Sequence, residues 1–198
     1  MYVQVKSSNG ISLVPVETRL LAKRRIFLEG EINQEMACEF VRRVMILAEE
    51  DPEKPIDVMI NSPGGEINAG WMLYDVIQSS KTPLRLFCLG RAYSMAAVLF
   101  ASGKSGRYML PNSELMLHEP LLGNRVSGSS SSIKSISDSL LETKRKMNAI
   151  LVKHTGRTEE EIENVISYDH YFKAEESILF GLCDKIVSFG EMMGCETE

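Results

Sequence analysis

Ser94, His118 and Asp169 are the residues of this chain whose types could form an acyl-transfer relay. Such a set provides a hydroxyl nucleophile, an imidazole to take its proton and a carboxylate to orient the imidazole. Each also has a plainer reading. Ser94 stands at the mouth of an uncharged run of Met, Ala, Val, Leu and Phe that ends at Gly103. Serine is among the best helix caps, and on this stretch alone a cap is the commoner outcome. The free N–H groups and positive dipole end of the same helix would also favour an oxyanion beside the serine. His118 ends a short apolar strand, where a lone histidine is more often simply hydrogen-bonded. Asp169, set among aromatics in Ser167-Tyr168-Asp169-His170-Tyr171-Phe172, is either a helix cap or an acid with a partner. Gly64-Gly65 frees the backbone to bring N–H groups close to a ligand, although Pro-Gly-Gly alone is usually a tight turn. The Ser, His, Asp order matches none of the familiar serine hydrolases, and the Gly-x-Ser-x-Gly elbow is missing, which disfavours an α/β-hydrolase; a triad is defined by geometry.

Strands and helices must alternate to bring these positions together. Strands are predicted at 24–30, 56–60 and from Leu84 to the break at Gly90, with short ones at 108–110, 115–117 and 183–187. Helices are predicted from the Asn33 cap to about Glu50, over 67–78, from Ser94, over about 133–154, after Thr158, and over 174–180. This alternation argues for parallel βαβ units with right-handed crossovers, an α/β fold. Functional groups of an open parallel sheet gather where strands end and helices begin, which is where Gly64-Gly65 and Ser94 fall. Residues 1–17 read as an arm or hairpin without a core, the Gly/Ser-rich 123–132 as mobile, and the tail from Glu191 as loose. The 133–154 helix carries a narrow apolar stripe suited either to the domain surface or to another subunit.

Composition narrows the classes of function. A hydrophobic fraction of 44% and a charged fraction of 25% are those of an ordinary soluble globular protein, and 198 residues suit one domain. A net charge of −5 with no basic tract argues against nucleic acid. The sequence has no apolar run of membrane-spanning length and its first residues lack the order of a secretory signal. Cys38, Cys88, Cys183 and Cys195 are scattered without metal-ligand spacing, so no metal is expected, and the three among apolar neighbours read as buried, reduced thiols of a cytoplasmic protein.

From about Val5 to Val187 the chain resembles the proteolytic subunit of the Clp protease, the ClpP family. The resemblance rests on Arg25-Ile26-Phe27-Leu28, Ile60-Asn61-Ser62-Pro63-Gly64-Gly65, Ala92-Tyr93-Ser94-Met95-Ala96, Met116-Leu117-His118-Glu119-Pro120, His154-Thr155-Gly156 and Gly181-Leu182-Cys183-Asp184. It implies a crotonase-like (ClpP-type) fold of repeated βαβ units with a protruding handle helix. The divisions would be an axial arm at 1–17, a protease domain at 18–190 with its handle at about 121–154, and a tail at 191–198. It implies Ser94 as nucleophile, His118 as base and Asp169 as orienting acid, with an oxyanion hole from the N–H groups of Gly65 and Met95. Gly65, Ile67 and Leu121 would pair with substrate as an added strand. It further implies two stacked heptameric rings around a chamber, fed with unfolded polypeptide by an AAA+ unfoldase. ATP would be used by that partner, since nothing here resembles a phosphate-binding loop; no cofactor is expected.

Some positions depart from the family pattern. Glu119 replaces a usual Gln, Leu122-Gly123 a usual Gly-Gly, and His170 a common Arg of the ring–ring contact, so association is expected to be weaker or more pH-dependent. Two other readings remain at this point. One is a non-cleaving structural ring subunit, and the other an acyl-CoA hydratase or isomerase of the wider crotonase-like fold, against which the Ser–His–Asp set argues.

Overall fold

The computed structural model describes residues 1–7, 10–123 and 127–194. Strand β1 (Tyr2–Ser7) pairs antiparallel with β2 (Gly10–Pro15) as a separate two-stranded sheet, and α1 (Val16–Leu21) follows directly. The main body is β3 (Arg25–Glu29), α2 (Gln34–Glu50), β4 (Ile56–Ser62), α3 (Ile67–Ser79), β5 (Leu84–Tyr93) and α4 (Met95–Ala101). Next come β6 (Arg107–Met109), β7 (Glu114–Leu117), α5 (Ser130–Thr155), α6 (Glu159–Ile166), β8 (His170–Lys173), α7 (Ala174–Phe180), β9 (Lys185–Ile186) and α8 (Phe189–Met193). The result is a mixed α/β fold around a mostly parallel seven-stranded sheet.

The sheet order is β3-β4-β5-β6-β9, and every neighbouring pair along it is parallel. β5 is shared. Its first part (Leu86 to Cys88) pairs with β6, and its last part (Arg91 to Tyr93) pairs with β7. β7 in turn pairs antiparallel with β8. The fork is made at Gly90, where the strand was expected to stop. Gly90 instead has φ +91°, its N–H is held by Ser113 Oγ at 2.9 Å, and the register opposite β4 shifts between Ile60 and Ser62. A residue without Cβ lets the strand turn there and continue.

Local chemistry explains the elements. Asn33 caps α2 by accepting from the Met36 N–H at 2.9 Å, as its sequence position predicts. α4 is apolar on all sides because all seven of its residues are buried, with α3 and α5 packed against it. Fully burying a Leu, Val, Met or Phe of this helix contributes about 1.5–3 kcal/mol. α5 starts at Ser130, earlier than the apolar stripe suggested, because Ser129 accepts from the Ser132 N–H. The Ser-rich segment is therefore partly first-turn helix; residues 124–126 of it lie outside the described residues. The chain is helical to Met193, and 195–198 of the tail lie outside them as well.

Arg107 ties the far end together. Its Nη1 donates to the carbonyls of Ala101 (3.1 Å), His154 (3.2 Å) and Gly181 (2.7 Å), where α4, α5 and α7 end, and its guanidinium pairs with Asp184.

Candidate active site

Ser94 joins β5 to α4 and occupies the position of a helix cap. It does not cap. Its backbone has φ 54° and ψ −124°, and its side chain makes no cap hydrogen bond. Arg24 is the one other non-glycine residue with positive φ among those described. Such a conformation is held only where the surroundings determine it, and it recurs at catalytic turns. Here the determinants are the Ser94 N–H, which donates to the Met116 carbonyl at 2.8 Å, and the buried α4 that begins one residue later. Gly64, at φ +92°, packs onto the serine: a Cβ there would lie 2.7 Å from Ser94 Cβ and 3.1 Å from Met95 N. The Gly64-Gly65 loop is pinned by Ser62, whose Oγ donates to Gly30 O and accepts from Gly64 N, and by the Ile32 N–H donating to Gly64 O.

Two amide donors stand free beside this turn. The Met95 N–H opens α4 and has no acceptor inside its helix. The Gly65 N–H makes no hydrogen bond with the described residues, while its neighbours Gly64 and Glu66 both bond to Ile32. Met95 follows Ser94 directly and Gly65 follows the Gly64 that packs onto it, so both donors flank the turn, an arrangement suited to oxyanion stabilisation.

His118 and Asp169 reach the same place through the sheet. β7 runs parallel to β5, with Tyr93 opposite Met116, so the chain leaves β7 into His118 beside the turn at Ser94. β8 runs antiparallel to β7 with Leu117 opposite His170; one further step of that ladder sets His118 across from Asp169. The three residues therefore lie at the ends of three adjacent strands. No hydrogen bond joins them among the described residues. His118 is half-buried with its Nδ1 buried and unpartnered, and Asp169 is exposed.

Gly65, Ile67 and Leu121 line one cleft of about 850 Å³, whose opposite wall is the first half of α5. Glu119, directly after His118, is held to α5 by an ion pair with Lys144 at 2.9 Å.

A family model described as Clp protease matches residues 8–189. The chain belongs to the Clp protease family. Membership makes it a Clp-type peptidase, and the rest of the neighbourhood can be read in that light. Cysteine is not an alternative nucleophile at Cys88 or Cys183, because burial pushes their thiols up to about 12 and about 11. Among the described residues no group of three His, Cys, Asp or Glu could hold a metal, and no helix is long and apolar enough to cross a membrane.

Sequence reasoning missed the side chains that tie the three strand ends of this Clp-family chain together. Tyr93 donates to Glu114 Oε1 at 2.6 Å, its ring meets Tyr171 edge-on at 5.7 Å, and the Arg91 guanidinium lies over it at 5.6 Å. The Glu114 bond pushes the Tyr93 hydroxyl up to about 12, so it stays a donor. This bridge joins β5, β7 and β8, the strands that lead to Ser94, His118 and Asp169. Alternation in Leu115, Leu117 and Phe172, which face the core, was the available signal, since it leaves Glu114 and Tyr171 on the other face.

Proposed function

We propose that this chain is a serine endopeptidase subunit of an ATP-dependent Clp protease, cutting unfolded polypeptides. Ser94 Oγ attacks the scissile carbonyl while His118 takes its proton. The Gly65 and Met95 N–H groups receive the oxyanion, and His118 returns the proton to the leaving amine; water then releases the acyl group by the same relay. Asp169 orients the imidazole once its carboxylate turns from solvent toward the unpartnered His118 Nδ1. The substrate lies as an added strand along Gly65 and Ile67 on one side and Leu121 on the other.

The observation that carries this reading is the backbone of Ser94, held at φ 54° with its hydroxyl and two nearby amides unbonded among the described residues. A cap would have had extended backbone and a bonded side chain.

The finer expectations belong to the same proposal. They are a crotonase-like arrangement of the βαβ units, an axial arm at 1–17, a protease domain at 18–190 and a tail at 191–198. Within the domain, 121–154 acts as a handle, so that α5 packs against a second ring. The assembly is two stacked heptameric rings in the cytoplasm, served by an AAA+ unfoldase that consumes the ATP, and the chain itself needs no cofactor. A fluorophosphonate probe should label Ser94 in the wild type and nothing in Ser94→Ala, and sedimentation should give a particle of fourteen subunits. A non-cleaving structural ring subunit is the competing reading, favoured by the exposed Asp169 and the unpartnered His118 Nδ1. Assembly without labelling would establish it.

A further inference from the structure

The cleft beside Gly65 has two chemically different sides. Leu121 and Leu122 provide apolar surface, and the facing stretch of α5 adds Ile136 and Leu140 beside the hydroxyls of Ser135, Ser139 and Thr143. The described lining residues include two that are charged, Glu31 and Glu66, and no Lys, Arg or His is among them. The two carboxylates flank one piece of backbone. Ile32, next to Glu31, forms a parallel bridge with Gly65, and the Glu66 N–H donates to the Ile32 carbonyl at 2.8 Å. Glu66 therefore follows immediately on the residue assigned to the oxyanion. Although it stands at the cap position of α3, its side chain makes no cap hydrogen bond. Among the described residues, neither carboxylate has a hydrogen-bond or ion-pair partner, and both are exposed to whatever enters the cleft.

We propose that Glu31 and Glu66 select polypeptides carrying lysine or arginine close to the scissile bond and reject acidic ones. A lysine or arginine side chain has an aliphatic stem and a terminal cation, so its stem can lie along the apolar wall while its head meets a carboxylate. An aspartate or glutamate in the same place would meet like charge with no cation among the described lining residues to offset it. An exposed pair of this kind is a modest interaction, on the scale of a two- to fivefold preference (about 0.4–1 kcal/mol) for each carboxylate engaged. Being exposed, it is also screened by salt. This selection rests on the peptidase reading, since it names the substrates of that same cleft.

The test uses the full chain with Ser94→Ala, so that binding is read without turnover. Fluorescent peptides of one sequence carry Lys, Gln or Glu in turn at each of the six positions around the scissile bond, and anisotropy gives their affinities at low and at high salt. At one position or more, Lys should bind about two- to fivefold tighter than Gln, with Glu weaker again. The order should flatten at high salt and in Ser94→Ala carrying Glu31→Gln and Glu66→Gln. In the wild-type background kcat/KM should follow the same order. Equal affinities, an order unchanged in the Gln variants, or no binding of any peptide would each overturn the proposal. If the wild type takes no fluorophosphonate label and cleaves none of the panel, the peptidase reading fails, while the affinity ratios still decide the charge selection.

Discussion

Two helix starts in this molecule carry a hydroxyl residue and use it in opposite ways. At α6, Thr158 is extended (φ −73°, ψ 160°), its Oγ1 accepts from the Glu161 N–H, and the Glu161 carboxylate accepts from the Thr158 N–H at 2.8 Å. Both capping side chains there have a partner. At α4, Ser94 is turned to φ 54°, and among the described residues neither its hydroxyl nor the first N–H of the helix makes a hydrogen bond. Stability is concentrated at the first start and withheld at the second. A backbone of the Ser94 kind costs about 1–3 kcal/mol, supplied here by the burial of α4 and the packing of Gly64. The lesson is that a cap position does not make a cap; the dihedrals and the bonding of the side chain do.

Substitutions can break this contrast, and the largest effect is expected at Ser94. Ser94→Ala should lower peptide hydrolysis by about 10⁴-fold or more. It should leave the melting temperature unlowered in calorimetry, because the lost hydroxyl makes no hydrogen bond among the described residues. Gly64→Ala comes next. Its Cβ would fall 2.7 Å from both Ser94 Cβ and the Tyr93 carbonyl at a φ of +92°. Fluorophosphonate labelling of Ser94 should slow by about 100-fold, as expected of a misplaced reacting group, and wild-type labelling kinetics would contradict the packing described.

The third pair of variants tests the two starts with one instrument. Thr158→Ala should destabilise by about 1 kcal/mol, a fall of about 2–4 °C, without changing hydrolysis. Ser94→Gly, free to adopt positive φ, should instead stabilise by about 1 kcal/mol while abolishing hydrolysis. The Thr158 N–H, and after it the Arg157 side chain, hold Glu161 below the ordinary glutamate value. The box at α6 is therefore complete at neutral pH, and its contribution fades as pH falls through that lowered value.

The smallest effect is expected at His154, whose Nε2 meets the Tyr74 hydroxyl at 3.2 Å. Burial first, then the charges of Lys153 and Arg107, hold His154 below the ordinary value of 6.5. The unfolded chain then binds the proton more readily, so stability present above 6.5 is lost as pH falls toward the lowered folded value. His154→Gln should flatten the acid side of a melting-temperature profile by on the order of 1 °C. Parallel profiles for the two proteins would remove the assignment.

The contrast also marks what a reader of the sequence can see. Asn33, Thr158 and the apolar run after Ser94 carry local signals, and the elements they predict are present. β8 has no such signal. Its four residues are a strand only because β7 lies beside them, and that pairing is what places Asp169 across from His118. α1 was not predicted, and the arm boundary at 17 cuts through it, since Pro15 caps it without a side-chain bond and none of its residues is buried. Gly90 was read as a stop, yet it is where one strand serves two neighbours in turn. The candidate catalytic residues were nameable from their types and motifs. The open state of His118 and Asp169, and the placing of Glu31 beside Glu66, depend on contacts between distant segments that no window of sequence contains.

The guanidinium of Arg107 has a consequence for how the chain comes apart. Three helices present their negative ends to it, and Asp184 fixes it from the opposite side. Peeling away the C-terminal third would strand a cation among unsatisfied carbonyls, so α4, α5 and α7 open together or not at all. Their slowest amides should accordingly exchange with deuterium at one common rate, as a single cooperative unit.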